Sequence, residues 1–183
     1  MSKTAQPELV TARLRLRAYR TEDAPALHRA FGDPVAMRYW DTGPSADAGQ
    51  TERRLRFALK YSPYDRAVWI VTRGSDGEVL GMINYHHRAA RARRVELGWM
   101  LIPGYGRHGY MTEAARGVIG YCVRELGVHR FEAMIEPGNA ASLALAERLG
   151  FRREAEELRD RDCVDGQFRS VALYGLLAPE FVG

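Results

Sequence analysis

Apolar residues recur along the chain in patterns that predict strands alternating with helices. Apolar and charged residues alternate from Leu14 to Ala18, which is typical of a half-exposed strand. Continuous apolar runs predict buried strands at residues 67–72, 79–86, 95–102 and 131–135. A glycine turn at residues 74–77 joins the first two runs. Two closing strands, at residues 151–163 and 168–177, are predicted to meet at Asp165-Gly166.

Helical periodicity predicts four longer helices and one short one. They are expected over residues 22–31, 34–40, 46–61, 112–126 and 140–149, with Ser45 and Asn139 as caps of the third and fifth. The order of elements predicts an α/β fold, with a mixed, mostly antiparallel central sheet and helices on both faces. Residues 1–183 are predicted to form a single domain, and residues 1–10 a flexible N-terminal segment.

Charge and composition exclude several classes of function. The chain of 183 residues has a net charge of +4, and Lys3 and Lys60 are its only lysines. The arginines are scattered among carboxylates rather than grouped with aromatic residues, so we do not expect nucleic-acid binding. The sequence shows neither a secretion signal nor an apolar run that could span a membrane. With Cys122 and Cys163 as free thiols, it predicts a cytoplasmic protein.

The stretch from Val95 to Gly127 organises the chain as a strand, a glycine-rich loop and a helix. Pro103 ends the strand, and three glycines follow before the helix, at positions 104, 106 and 109. A helix start offers free backbone N–H groups and the positive end of a dipole, which together bind phosphate. Arg107 and His108 add side-chain donors at this point.

The same loop has two other possible interpretations. The letters G-x-G-x-x-G match a dinucleotide-binding fingerprint, with Glu132 or Glu136 near the position of a ribose-binding acid. That fold needs the unit early in the chain and further strand–helix units after it, whereas this chain closes with a hairpin. A surface loop that needs glycines for its turns is the other alternative.

Residues 103–114, PGYGRHGYMTEA, resemble the coenzyme A pyrophosphate loop of the GNAT superfamily of N-acetyltransferases, P-x-x-x-G-x-G-Y-x-T-E-A. Arg107 departs from that pattern, because the family has the first glycine of its G-x-G there. LVTARLRLRAYRTEDAPAL, GDPVAMRYW and NAASLALAERLGF resemble further motifs of the RimJ/RimL-type branch, which acetylates protein N-termini and other amines. The resemblance covers nearly the whole chain.

The resemblance implies an acetyl-CoA-dependent N-acetyltransferase. A primary amine, on a small molecule or a protein N-terminus, would attack the thioester directly in a ternary complex. The coenzyme arm would lie between strands 97–102 and 131–135. The implied coenzyme contacts are Met100, Leu101, Ile102, Arg107, His108, Gly109, Tyr110, Met111, Thr112 and Asn139. A non-catalytic acyl-CoA-binding module is the alternative, and the oligomeric state is left open, with a homodimer among the choices.

The resemblance also suggests catalytic groups. Glu96, at the start of the central strand, would be the base, with a pKa raised by partial burial. The alternative is a strand-end acid paired with Arg93 or Arg94. Ser142 would stabilise the thiolate, unless its hydroxyl bonds to backbone. Many members have a tyrosine acid where Ala146 stands here, so that acid is missing.

Two aromatic residues are candidates for the acceptor rim. Tyr39 and Trp40, beside nearby carboxylates, would suit a cationic amine, but they would equally suit the core of a short helix. His86, His87 and His108 raise the question of a metal. Adjacent strand residues point to opposite faces, so we expect a poor chelate and assign no metal.

Overall fold

The structure is a computed structural model that describes residues 6–59 and 65–182. Its strands are β1 (Leu9–Val10), β2 (Leu14–Arg17), β3 (Ala67–Arg73), β4 (Val79–Ala89), β5 (Arg94–Leu101), β6 (Arg130–Ile135), β7 (Arg152–Val164) and β8 (Gln167–Leu177). Its α-helices are α1 (Ala24–Phe31), α2 (Ala48–Ala58), α3 (Tyr110–Leu126) and α4 (Ala140–Arg148). One-turn 3₁₀ helices lie before α1, at Thr21–Asp23, and after β8, at Ala178–Glu180.

All eight strands form one sheet, in the order β1-β2-β3-β4-β5-β6-β8-β7. Neighbouring strands are antiparallel except for β5 and β6, which run parallel. A parallel pair needs a crossover, and α3 supplies it. The mixed, mostly antiparallel fold predicted from the sequence is therefore confirmed.

Alternation along the strands divides the core between the two faces of the sheet. Trp69 and Val71 of β3 are fully buried on the face that α3 and α4 cover. Ile70, between them, is buried on the opposite face with Leu27 of α1 and Leu55 of α2. Because both faces are covered by helices, the central strands read as continuous apolar runs rather than as alternating ones.

Local hydrogen bonds move several helix boundaries away from the predicted ones. Asp47, not Ser45, caps α2 by accepting from the N–H of Gln50, and the predicted end at residue 61 lies outside the described residues. Residues 34–39 form turns, so the predicted short helix is wrong there. The Asp33 carboxylate accepts from the N–H groups of Val35 and Ala36, which favours a turn.

The N-terminal part of the described chain is tied to the sheet. Leu9 and Val10 pair with β2 as a short edge strand, so the expected flexible segment does not include them. The Trp69 indole donates to the carbonyl of Pro7 at 2.8 Å. Cys122 and Cys163 are free cysteines, and burial raises the pKa of the Cys122 thiol to about 12. None of the described helices is both long and apolar enough to cross a membrane.

Candidate active site

The parallel seam between β5 and β6 opens into a cavity. The two strands pair from Arg94 with Arg130 as far as Glu96 with Glu132. Each strand then continues, and a cavity of about 300 Å³ lies between the two continuations. Its walls include Leu97, Gly98, Trp99, Ala133, Met134 and Ile135. This is the position where the resemblance implied a coenzyme arm.

The loop that follows β5 presents free N–H groups at the start of α3. The first intrahelical bond runs from the N–H of Glu113 to the carbonyl of Gly109, at 3.0 Å. The N–H groups of Tyr110, Met111 and Thr112 therefore have no acceptor within the helix. The Met111 side chain is buried, so this residue would meet a ligand through its backbone. The arrangement fits the phosphates of a coenzyme.

Arg107 keeps the loop shape that its family pattern assigns to glycine. Its φ of 65° lies in the left-handed region, beside Gly109 at 75°. A left-handed conformation costs a non-glycine residue on the order of 1 kcal/mol. The departure from the family pattern thus places a guanidinium at this position while the glycine-like backbone is retained.

Two further arginines lie near the start of α3 and were not among the residues predicted from the sequence. Arg13 donates to the carbonyl of His108 at 3.0 Å and lies over the Tyr110 ring at 4.9 Å. Arg148, at the end of α4, lies 3.5 Å from the hydroxyl of Thr112. Both are far from the loop in sequence, so no local pattern could have indicated them.

Of the three consecutive residues implied as backbone contacts, Met100, Leu101 and Ile102, only Leu101 directs its N–H toward the gap. Ile102 donates its N–H to the carbonyl of Leu80, toward β4, so this group is not free for a coenzyme. Successive residues of a strand direct their N–H groups to opposite sides. The N–H of Leu101 is therefore directed toward the gap, and that of Met100 toward β4.

The expected rise in the pKa of Glu96 is wrong. Burial alone would raise the pKa, but hydrogen bonds and positive charge from His86 and then His87 outweigh it and hold the pKa at about 2. The carboxylate lies 3.3 Å from His86 Nε2 and 3.1 Å from His87 Nδ1. Arg94 bonds to Glu132 instead, so Glu96 is not the arginine-paired acid of the alternative interpretation.

A β-bulge brings both histidines to the same carboxylate. His86 and Glu96 are cross-strand partners, and the register between β4 and β5 shifts just after this pair. His87 adopts a φ of 49° within the irregularity, which breaks the alternation of side chains. The argument that adjacent histidines must point apart is therefore wrong here. Ligand atoms of His86, His87 and Glu96 all lie within 4.8 Å of one another.

Ser142 and Asn139 line the cavity at the start of α4. The Asn139 side chain accepts from the N–H of Ser142 at 3.2 Å, so the predicted cap is confirmed. The Trp99 indole donates to the Ser142 oxygen at 3.2 Å. An indole N–H can only donate, so the serine oxygen accepts and its own O–H is left to donate elsewhere. This contact is to a side chain, not to backbone as the alternative supposed.

Tyr39 and Trp40 line the outer part of the cavity. Tyr39 donates to the carbonyl of Gly138 at 2.8 Å, and Trp40 packs on Phe31 with ring centroids 5.8 Å apart. Both side chains are half-buried at the cavity wall rather than in the core of a helix. A second cavity, of about 410 Å³, lies on the far side of Trp40 and shares Asp41, Asn84 and His86 with the first.

Carboxylates outnumber guanidinium groups among the described walls of the first cavity. Asp41, Glu96, Glu136 and Asp162 line it, against Arg169. Arg169 is itself engaged, because it lies 3.0 Å from Glu136 and donates to the carbonyl of Arg38 at 2.8 Å. The cavity therefore favours a positively charged group over an anion.

A parallel seam that opens beside a glycine-rich loop and a helix start is the arrangement that the resemblance to the N-acetyltransferases implied. The model of the acetyltransferase (GNAT) domain matches residues 13–152. The chain belongs to this family and is an N-acetyltransferase, a class whose members use acetyl-CoA. Membership of this family shows that the dinucleotide interpretation of the glycine fingerprint is wrong.

Individual relatives agree with this assignment. The uncharacterized N-acetyltransferase p20 of Bacillus licheniformis is 30% identical over 96% of this chain and 98% of its own. The ribosomal protein uS5-alanine N-acetyltransferase of Escherichia coli is 30% identical over 57% of this chain and 54% of its own. A GNAT-family structure from Chromobacterium violaceum has a TM-score of 0.86 at 26% identity, covering 98% of this chain and 90% of its own.

Proposed function

We propose that the protein transfers the acetyl group of acetyl-CoA to a primary amine by direct attack within a ternary complex. The observation that carries the proposal is the cavity where β5 and β6 part. One wall of it is formed by aromatic rings and carboxylates, and β5, which lines it, leads on through the glycine-rich loop to the free N–H groups of α3. A coenzyme and a cationic acceptor could therefore meet end to end.

The coenzyme would be bound at three levels. Its pyrophosphate would accept from the N–H groups of residues 109–112, with Arg107 and His108 adding donors. Its pantetheine arm would extend along the gap and accept from Leu101, in place of the Ile102 N–H that is used in the sheet. Asn139 would contact the arm through its amide N–H₂, since its oxygen is used as a helix cap.

Ser142 would act on the leaving group. As the amine attacks, the carbon–sulfur bond breaks and negative charge develops on sulfur. The serine O–H, fixed by the Trp99 contact at 3.2 Å, can donate to that thiolate. This role would compensate for the tyrosine acid that is missing at Ala146.

The acceptor would lie against Tyr39 and Trp40. Aromatic faces and surplus carboxylates attract an ammonium group. The relative that acts on ribosomal protein uS5-alanine favours an exposed protein N-terminus as the acceptor. A small molecule with a primary amine is the second candidate, because the cavity walls impose no need for a peptide chain.

An acceptor screen tests the proposal. The protein would be incubated with acetyl-CoA and separate sets of N-terminal peptides, small amines, alcohols and thiols. We expect thiol release and an added acetyl group on amines alone, with N-terminal peptides as the better set. Acetylation confined to hydroxyl or thiol acceptors would contradict the amine assignment. Coenzyme binding without thiol release on any acceptor would indicate a non-catalytic module.

A further inference from the structure

We propose that the second cavity binds a large apolar group next to the amine of the acceptor, so that the protein selects primary amines with a bulky apolar substituent. On a peptide acceptor, this substituent is the side chain of the first residue. The inference rests on the proposed function and deepens it, because it names which amines reach the acetyl group. The observations that carry it are the position, the walls and the charge of the cavity of about 410 Å³.

The two cavities adjoin at one side of the opened seam. Both are lined by Trp40, Asp41, Asn84 and His86. Asn84 faces Gly98 across the β4–β5 pair, and a Cβ added to this glycine would lie 3.1 Å from Asn84 Oδ1. The missing side chain therefore leaves room at the junction. An amine in the first cavity can direct its substituent into the second.

The second cavity lies on the face of the sheet opposite to α3 and α4. Met82, Asn84 and His86 alternate with other residues along β4 and share one face. Met82 packs in the part of the core that α1 and α2 cover. Trp99 packs in the part that α3 and α4 cover, where it donates to Ser142. A coenzyme bound at α3 therefore leaves the face of α1 and α2 to the body of the acceptor.

The inner walls of the second cavity are apolar. They are formed by side chains of residues that are at most 5% exposed, namely Phe31, Leu55, Val68 and Met82. The half-buried ring of Trp40 forms the side toward the first cavity. An apolar group that leaves water for such walls is stabilised by the hydrophobic effect. None of the residues implied as coenzyme contacts is among the described walls, so this space is left to the acceptor.

The two cavities differ in the balance of their carboxylates and guanidinium groups. Among the described walls, the first cavity has four carboxylates and one guanidinium group, whereas the second has Asp41 with Arg54 and Arg66. Arg54 is held in place, because it donates to the carbonyl of Gly43 at 2.6 Å. The first cavity therefore favours the ammonium group, and the second disfavours another positive charge. This difference selects a monoamine with an apolar body over a polyamine.

Matched acceptors test this preference first. Peptides that differ only in their first residue, which is alanine, leucine or phenylalanine, would be acetylated side by side. We expect kcat/KM for the leucine and phenylalanine peptides to exceed that for the alanine peptide at least about tenfold, the usual effect of filling an apolar pocket. Hexylamine and cadaverine have the same number of heavy atoms, and we expect hexylamine to be favoured because its far end carries no charge.

Two variants change the size of the second cavity. Thr42→Trp adds a ring at an exposed position that lines the second cavity and not the first, and it should lower the ratio of kcat/KM for leucine to that for alanine about fivefold. Leu55→Ala enlarges the cavity and should shift the preference from leucine toward phenylalanine. Each ratio is measured on one preparation, so it does not depend on how much of the variant folds.

Leu27→Ala is the matched control for Leu55→Ala. Leu27 is buried in the same part of the core, but it is not among the described walls of either cavity. The substitution should lower stability, as the loss of a buried leucine side chain does, and leave the acceptor ratios unchanged. Thermal unfolding would measure the stability of each variant beside its acceptor ratios.

Several results would overturn the inference. An equal kcat/KM for alanine and leucine peptides, or a preference for cadaverine over hexylamine, would show that the body of the acceptor does not enter the second cavity. Ratios that stay at the wild-type value in both Thr42→Trp and Leu55→Ala, or that change as much in Leu27→Ala, would assign the preference to another surface. A wild-type protein that acetylates no amine would instead refute the proposed function.

Discussion

Glu96 lies near the start of β5 and Glu113 lies in the first turn of α3, and both carboxyl groups have a lowered pKa. For each carboxyl group, burial alone would raise the pKa, but the hydrogen bonds that the carboxylate accepts outweigh burial and lower the pKa below its usual value. Glu113 accepts from the Thr11 hydroxyl at 2.6 Å and from the backbone and side chain of Arg13 at 2.8 and 2.7 Å. Its partners belong to the edge of the sheet.

The comparison shows that a lowered pKa alone does not indicate an active-site acid. Glu113 joins the first turn of α3 to the segment between β1 and β2, which is a structural role. The partners of Glu96 are the imidazole rings of His86 and His87, and these rings lie at the walls of two cavities. The nature of the partner and the adjoining cavity distinguish the two sites.

Glu96→Gln should have the largest effect on turnover. We expect kcat to fall about tenfold or more with little change in coenzyme affinity, because a charged carboxylate is lost from the wall of the cavity and its loss acts on the chemical step. Steady-state rates and calorimetric coenzyme titrations would measure the two quantities. A variant with the wild-type rate across pH 6 to 9 would remove Glu96 from the mechanism and make it resemble Glu113.

Glu113→Gln should act on stability instead. We expect the free energy of unfolding to fall by about 1–2 kcal/mol, since hydrogen bonds to a charged group are lost. The folded pKa is lowered, so the contribution is present above the unfolded value of about 4.3 and is lost as the pH falls through the folded pKa.

Denaturant unfolding at several pH values would measure this effect. The difference between wild type and Glu113→Gln should be constant near neutral pH and should shrink below about pH 4. If the difference in the free energy of unfolding grew in acid, Glu113 would not stabilise the fold through its charged carboxylate.

Arg107→Ala should weaken coenzyme binding about fivefold, and more at low salt, because its role would be charge on phosphate. Arg107→Gly provides a matched variant, since it removes the same charge but relieves the left-handed backbone at φ 65°. We expect the two variants to bind the coenzyme with equal affinity, and we expect Arg107→Gly to be the more stable of the two. An equal loss with short coenzyme analogues that lack the phosphates would refute the charge role.

Ser142→Ala should have the smallest effect, a decrease in kcat of about threefold. Trp99→Phe removes the indole N–H that fixes the hydroxyl, and we expect it to reproduce part of the loss. The difference in kcat between wild type and Ser142→Ala should be smaller with acetyl donors whose leaving thiol has a lower pKa, because such a thiolate needs less stabilisation. A variant whose rate does not respond to the leaving group would exclude this role.

Much of the fold could be predicted from sequence because its signals are local. The apolar runs of β3, β4 and β5 and the periodicity of α3 report burial directly, and Gly127 ends α3 with a φ of 62° as expected. The family could be recognised for the same reason, since the residues of the glycine-rich loop that carry the resemblance are contiguous.

The acceptor side of the cavity was harder to predict from the sequence, because its geometry is set by contacts between strands. The bulge that turns His87 to Glu96 arises from the register of β4 on β5, and alternation along one strand predicts the opposite. The low pKa of Glu96 likewise depends on His86 and His87. These residues are ten or fewer positions away in sequence, but they contact Glu96 only because β4 pairs with β5. Arg148 reaches Thr112 only in the folded chain.

Backbone hydrogen exchange with and without acetyl-CoA tests most directly whether the opened β5–β6 seam is the coenzyme site. The account predicts protection at residues 97–102 and at residues 107–112, where the N–H groups of Leu101 and of Tyr110, Met111 and Thr112 gain acceptors. Residues 9–17, which hold the partners of Glu113, should change little. Tight coenzyme binding with protection elsewhere, and none along the seam or at the start of α3, would contradict the account.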